Sequence, residues 1–231
     1  MRRITRRAKG TSRNRHRDHA TDGVQPLEPR QLFAATLTTL LAFDNVGGGN
    51  PMGALVIDAA GNLYGTTDAG GALGKGTVFK IAAGSNTPTT LATFNGTNGA
   101  NPSAGLAADA GGNLYGTTSF GGPTNDGTVF EITAGTHAFT TLANFNFANG
   151  SRPLAGVYVD ASGNLFGTTN GGGDNYHGTV FELDAATHTI TDLYGFDGGA
   201  NGANPYGRLV ADASGNLYGT TGYGGAVGAT G

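Results

Sequence analysis

Short apolar stretches separated by glycine, asparagine and proline recur along most of the chain. In the first complete unit this pattern predicts four strands, at Ala54–Ile57, Leu63–Thr67, Thr77–Ile81 and Thr89–Phe94. β-Branched and aromatic residues dominate the stretches, and turn-forming residues lie between them. Both alternating faces of the third stretch carry apolar side chains, which is typical of a strand covered on both sides. No segment keeps the apolar periodicity of an α-helix, so we expect almost no helix.

The same unit returns at an almost constant interval. The phrase Gly-Asn-Leu-Tyr-Gly-Thr-Thr, with Phe for Tyr in the third copy, begins at Gly61, Gly112, Gly163 and Gly215, at intervals of 51, 51 and 52 residues. Four strands in roughly 40–50 residues is the size of one propeller blade. A sheet this small cannot bury a core alone, so neighbouring sheets must pack on each other. The sequence therefore predicts an all-β, β-propeller-like array of four-stranded blades of about 51 residues each.

Charge divides the chain into a tail, residues 1–35, and a body, residues 36–231. The first 30 residues carry nine of the 13 basic residues and only three of the 16 acids. We expect the tail to be basic and disordered, and the body to form three full blades with partial ends, residues 36–43 supplying a fourth strand. Because the last unit stops short, we expect an incomplete or fragmentary propeller, continued by further repeats of a longer chain.

The composition also limits the partners. A basic cluster attracts nucleic acid, but here the body is acidic and contains no recognisable nucleic-acid-binding module, so we expect no nucleic-acid partner. No apolar run is long enough for a membrane-spanning helix. The absence of cysteine excludes disulfides and thiolate metal sites.

The repeated phrases resemble those of the bacterial GloVer tandem-repeat family. The resemblance covers Thr36 to Gly231 and includes DAAGNLYGTT from Asp58, GTVFEI from Gly127 and the TTL unit ending at Leu142. It implies a surface or secreted protein with no established activity. The segment LEPRQLF, from Leu27, is similar to the LEPR-XLL N-terminal region of large exported proteins, with Phe33 in place of the final leucine. It implies a secreted or cell-surface protein, although no ordinary signal peptide is visible.

One carboxylate precedes each Gly-Asn turn by three residues. Calcium would need several carboxylates in one loop, whereas an aspartate beside a turn more often accepts backbone N–H groups. We therefore expect structural turn residues and no metal site. The turn residues are Asp58, Asn62, Asp109, Asn113, Asp160, Asn164, Asp212 and Asn216.

No arrangement of histidines, acids or hydroxyls indicates a catalytic site, and none of the glycine-rich loops has the spacing of a phosphate-binding loop. We therefore expect neither catalytic residues nor a cofactor. A propeller hydrolase or lyase is the less favoured alternative, since it would need acids or metal ligands that break the repeat symmetry.

The long loops carry most of the variation between repeats. Loops between the second and third strands, and after the fourth, should emerge on the same side of a blade, and a constant scaffold with varied loops is typical of binding surfaces. The sequence thus predicts a non-catalytic, exported module that binds a surface glycan or protein. The alternative is a purely structural spacer in a larger surface protein. The candidate contacts are Asn98, Arg152, Asn175, Tyr176 and His177.

Overall fold

The computed structural model describes residues 2–7 and 34–225, with side chains from residue 39 onward. The described residues form strands, turns and loops and contain no helix, so none of them spans a membrane as a helix. The LEPR-XLL-like segment lies outside the described residues. The chain separates into two compact units, Met1–Ala42 and Phe43–Gly231.

The first unit contains one antiparallel strand pair, β1 (Arg2–Arg7) with β2 (Ala34–Thr39). The strand expected from residues 36–43 is observed in part as β2, and its partner is β1. The division of the chain into a disordered tail and a repeat body stays a prediction, since residues 8–33 lie outside the described residues.

The second unit contains three four-stranded antiparallel sheets, one for each complete repeat. The first sheet comprises β3 (Val56–Ile57), β4 (Leu63–Thr67), β5 (Thr77–Ile81) and β6 (Pro88–Thr93). The second comprises β7 (Ala107–Ala108), β8 (Leu114–Thr118), β9 (Thr128–Ile132) and β10 (Phe139–Asn144). The third comprises β11 (Tyr158–Val159), β12 (Leu165–Thr169), β13 (Thr179–Leu183) and β14 (Ile190–Gly195).

The last repeat contributes two smaller antiparallel pairs. They are β15 (Ala203–Pro205) with β18 (Thr221–Tyr223), and β16 (Val210–Ala211) with β17 (Leu217–Tyr218). In each complete sheet the strands follow one another in chain order, which is the topology of a propeller blade. The predicted fold class is confirmed. In the first repeat β4 and β5 coincide with the predicted second and third strands, whereas β3 is two residues shorter than predicted and β6 begins and ends one residue earlier.

The hydrophobic core lies between neighbouring sheets. Phe94 follows the last strand of the first repeat and packs edge-on against Phe130 of the second, with ring centroids 5.2 Å apart. Phe145 and Phe181 repeat this contact between the second and third repeats at 5.0 Å. All four rings are fully buried. Because each pair joins two repeats, burial of apolar surface holds the array together, as the sequence predicts.

In the three complete repeats, the first threonine of the Gly-Thr-Thr phrase donates a hydrogen bond to the segment that follows its blade. The Thr66 hydroxyl donates to the carbonyl oxygen of Ala104 at 2.7 Å, and Thr117 donates to that of Ala155 at 3.1 Å. The second threonine forms a buried hydroxyl pair with the third strand, as Thr118 does with Thr128 at 2.9 Å. Neither threonine can therefore be exchanged for an apolar residue without losing a buried hydrogen bond.

The glycine before these threonines packs directly against a buried phenylalanine ring, and no side chain fits there. A Cβ atom added at Gly116 would lie 2.5 Å from Cζ of the buried Phe130. Gly65 and Gly167 stand against the equivalent phenylalanines at 2.7 and 2.6 Å. Close packing of strand on ring thus explains why glycine recurs inside a strand, where it otherwise lowers stability.

Candidate functional site

The loops fall on two faces of the array. The long-loop face is formed by the loops between second and third strands and by those after the fourth strands, residues 68–76, 95–103, 119–127, 146–154, 170–178 and 197–205. The short-turn face is formed by the remaining turns, residues 58–62, 82–87, 109–113, 133–138, 160–164, 184–189 and 212–216.

Backbone hydrogen bonds tie the loops of the long-loop face to each other. Ala100 and Phe120 exchange backbone hydrogen bonds of 2.7 and 3.0 Å, and Ser151 and Gly171 do the same one repeat later. In each case the loop leaving one repeat pairs with the loop between the second and third strands of the next. The two kinds of loop therefore lie on the same side, and they form an ordered surface.

Several positions on this face have a left-handed backbone, and their residues differ between repeats. Phe147 (φ 66°) stands where the neighbouring repeats have Gly96 and Gly198. Tyr176 (φ 65°) stands where they have Gly74 and Asn125. Glycine and asparagine tolerate this conformation, whereas a bulky side chain costs on the order of 1–2 kcal/mol. The other repeats fold without aromatic residues at these positions, so the fold does not require them.

These two aromatic residues lie beside each other. Their ring centroids are 5.6 Å apart and their planes are tilted by 36°. Phe147 is 45% exposed and Tyr176 is 68% exposed. We call them the Phe147–Tyr176 shelf. Sequence reasoning identified Tyr176 but missed Phe147. Comparison of loop residues at the repeat interval would have found Phe147, because it replaces glycine.

Arg152 also departs from its repeat. It has a left-handed backbone (φ 54°) and lies with its guanidinium 5.4 Å from the ring centroid of Phe120. Asn101 and Asn204, the equivalents of Arg152, donate side-chain hydrogen bonds to backbone carbonyls of the adjoining loop. At this position the other repeats have an asparagine that forms an internal hydrogen bond, whereas this repeat has an exposed cation over an aromatic ring.

The other predicted contacts are placed differently. The Asn98 side chain accepts from the Asn95 N–H at 2.8 Å and donates to the Thr93 carbonyl at 3.3 Å, so it is engaged inside its own loop. Asn175 is exposed next to Tyr176. His177 is half-buried and packs over Gly198. Asn175, Tyr176 and His177 thus lie in one loop of the third repeat, whereas Asn98 lies in the loop after the first repeat and Arg152 lies against Phe120.

On the short-turn face, the repeated aspartates organise the turns. Asp58 accepts hydrogen bonds from the Asn62 N–H at 2.8 Å, the Asn62 side chain at 2.7 Å and the Tyr64 hydroxyl at 3.0 Å. Asn62 in turn accepts from the N–H of Ala83 at 3.0 Å, which connects two turns. Asp109, Asp160 and Asp212 bind Asn113, Asn164 and Asn216 in the same way.

These hydrogen bonds change the acidity of the turn. The Asn216 side chain is the main cause that lowers the pKa of Asp212 to about 2. For Asp109, partial burial by itself would raise the pKa, but hydrogen bonds from Asn113 and Tyr115 outweigh it and lower the pKa. Burial, followed by the charge of Asp109, raises the pKa of Tyr115 to about 12.

A cavity that the sequence did not predict opens on the short-turn face, between the first two repeats. Its volume is about 550 Å³, and its lining includes Ile57, Leu114 and His137 as well as Asp58 and Asp109. Both carboxylates already accept several hydrogen bonds within their turns. The cavity therefore presents mainly apolar surface and engaged carboxylates.

Asp174 and Asp192, in the third repeat, have no acidic residue at the equivalent positions of the first two repeats. Burial, and then the charge of Asp174, raises the pKa of Asp192. Within the described part of the chain, no group of three or more histidines and acids could hold a metal ion.

Comparison with protein families gives one match. The family model described as Gloeobacter/Verrucomicrobia repeat matches residues 29–231. Among curated proteins, no sequence matches this chain.

Several solved structures are similar to this chain, and two with TM-scores above 0.5 support the fold. One is from a nidogen/laminin complex, with TM-score 0.54 and 18% identity over 82% of this chain and 62% of the other. Another is the extracellular domain of a protein assigned as a one-component system from B. thetaiotaomicron, with TM-score 0.53 and 14% identity over 85% of this chain and 23% of the other. A protein assigned as a gluconolactonase gives TM-score 0.48 and 18% identity over 74% of this chain and 57% of the other. The chain thus spans less than two thirds of each of these structures.

Proposed function

The chain belongs to the Gloeobacter/Verrucomicrobia repeat family, and from this premise we propose that it is a non-catalytic, exported module that binds a surface glycan or protein through its long-loop face. One observation carries the proposal. Residues that depart from the repeat, among them Phe147, Arg152 and Tyr176, lie exposed on this face, while the buried positions hardly vary. Binding residues commonly occupy loops on a rigid scaffold.

Export rests on two further observations. The tail carries the LEPR-XLL-like segment, and that resemblance implies transport to the cell surface or beyond. The fold is shared with the extracellular domain from B. thetaiotaomicron and with the chain from the nidogen/laminin complex, which are compatible with an exported module that contacts other molecules. Fractionation of the native host should find the protein at the cell surface or in the medium, and a cytoplasmic location would refute export.

The binding proposal is tested by restoring the repeat. A consensus variant combines Phe147→Gly, Arg152→Asn and Tyr176→Asn, each introducing a residue found at that position in another repeat. Wild type should bind to bacterial cells or to glycan or protein arrays, and the variant should lose that binding while keeping its thermal unfolding temperature. Ala186→Lys on the short-turn face is the matched control and should bind like wild type.

A structural spacer is the second candidate, because the backbone ladder between loops runs on from repeat to repeat. A spacer predicts equal behaviour of wild type and consensus variant in every binding assay, and that result would refute the proposal. The non-catalytic part is tested with glycoside, ester and lactone substrates. A turnover that disappears in Asp192→Asn would refute it, since Asp192 is an acid that breaks the repeat symmetry.

A further inference from the structure

We propose that the Phe147–Tyr176 shelf is a carbohydrate-binding site, on which the ring faces stack against the apolar face of a neutral sugar. This inference rests on the proposed function and deepens it, because it names both the site and the ligand class. Neither residue is required by the fold, and the two are brought together from different loops.

The shelf has the shape that a sugar ring needs. The two planes are tilted by only 36° and their centroids are 5.6 Å apart, so the rings form a shallow open surface rather than a cleft. Roughly half of Phe147 and two thirds of Tyr176 remain exposed. Rigid aromatic side chains supply contact area at a low cost in side-chain entropy, and tyrosine adds a polar group at its rim.

The backbone holds the shelf in place before a ligand arrives. The carbonyl of Phe147 accepts from the N–H of Gly173 at 2.8 Å, and the N–H of Phe147 donates to the carbonyl of Gly150 at 3.1 Å. The N–H of Tyr176 donates to the carbonyl of Gly173 at 3.1 Å. Binding therefore requires little ordering of the loops, which favours affinity.

The strained backbone is the second argument for a role in binding. The preceding repeat places Gly96 and Asn125 at the same two positions, also with positive φ. A bulky residue in this conformation persists against a local cost, and such outliers cluster at ligand sites. Phe147 and Tyr176 are two such outliers, and they are exposed and in contact with each other. A purely structural role would not require this arrangement.

The surroundings favour a neutral hydroxylated ligand. Asn146, Asp174 and Asn175 are exposed and lie within two residues of one of the two shelf residues in the sequence. The Asn146 oxygen accepts from the Asn149 N–H, which leaves its NH₂ group, the Asp174 carboxylate and the Asn175 amide for ligand hydroxyls. A quaternary ammonium ion would instead need ring faces that enclose it. A protein partner would need a wider apolar patch than two rings, since stable protein interfaces bury roughly 800 Å² per partner.

The experiment titrates the whole chain with neutral tetrasaccharides of glucose, mannose, galactose and N-acetylglucosamine, with choline as a cationic probe. At least one tetrasaccharide should bind, and it should shift the ring proton resonances of Phe147 and Tyr176 in the NMR spectrum of the wild-type protein. Phe147→Gly and Tyr176→Asn should each weaken binding by about three- to tenfold. Asn125→Gly, the matched change in the preceding repeat, should leave it unchanged.

A transplanted shelf provides the converse test. Gly96→Phe with Asn125→Tyr should create a second site and raise the stoichiometry to two sugars per chain, because the three atoms nearest to a Cβ at position 96 all belong to the flexible Lys75 side chain. If no tetrasaccharide binds, or binding leaves the two rings unaffected, the inference is wrong. If the consensus variant loses binding to a surface protein while every sugar fails, the long-loop proposal survives and the carbohydrate site does not. Preference for choline would also overturn the carbohydrate assignment.

Discussion

The hydrogen bonds between blades allow a graded test of how the array is held together. Thr66, Thr117 and Thr168 occupy the same position in three repeats, and all three are buried. Their hydroxyls donate to a carbonyl of the next repeat at 2.7, 3.1 and 3.5 Å. Replacement by valine keeps the shape and the β-branch but removes the donor.

The expected cost follows from these contacts. In Thr66→Val and Thr117→Val, a buried carbonyl loses its donor, which costs about 1–3 kcal/mol. For a domain of this size that corresponds to a fall in melting temperature of about 2–12 °C. The third bond is at the limit of a hydrogen bond, and its acceptor, Gly207, is half-buried. Thr168→Val should therefore cost less than about 0.5 kcal/mol.

Thermal unfolding followed by circular dichroism measures all variants under one condition. Thr89→Val, on the exposed side of the fourth strand of the first repeat, is the control and should change the melting temperature little. The reasoning is refuted if Thr66→Val and Thr117→Val have the same melting temperature as the control, or if Thr168→Val lowers the melting temperature as much as Thr66→Val does.

Three further predictions concern packing, pH and the shelf. Gly116→Ala should destabilise the protein by about 1–3 kcal/mol in urea unfolding, because the new methyl group meets the fully buried ring of Phe130; a neutral effect would contradict the packing argument. The pKa of Asp212 is lowered to about 2, so its contribution is present above about pH 4 and lost as the pH falls towards 2; the melting temperature of Asp212→Asn should vary less with pH over that window, and an equal variation would be contrary to expectation. Phe147→Gly should change stability by less than about 1 kcal/mol, since relief of strain offsets the lost ring contact, whereas Phe145→Ala should cost about 3–5 kcal/mol; equal losses in a calorimeter would contradict the proposed difference.

Much of the fold could be predicted because the same pattern of apolar strands and glycine-rich turns recurs in every repeat. Val78 and Phe79 lie on opposite faces of one strand, and both are fully buried, as expected for a blade between two neighbours. The predicted second and third strands of the first repeat coincide with the observed ones. Periodicity alone could not identify the partner of the segment after residue 33, since its pairing with Arg2–Arg7 lies outside the repeat.

The candidate site was predicted less completely. Tyr176 was recognised because it lies in a variable loop, but Phe147 was not, since a single phenylalanine beside a strand resembles a core residue. Its exposure follows from the left-handed backbone, which turns it away from the position of the buried Phe145. The backbone conformation of Phe147 depends on contacts with the loop of the next repeat, which the sequence of a single repeat does not include.

The contacts also explain where this array can change without losing its fold. A glycine such as Gly116 is fixed by a ring, and a threonine such as Thr117 by a buried carbonyl, so substitution there disrupts packing between blades. Some left-handed loop positions, such as Gly127, are fixed by close packing as well as by backbone conformation. At Phe147 and Tyr176 the backbone is also left-handed, but the side chain is exposed to solvent. A new side chain at such a position costs a modest local strain and leaves the core intact. Substitutions that create binding sites should therefore accumulate at these exposed loop positions, independently at each junction between two repeats.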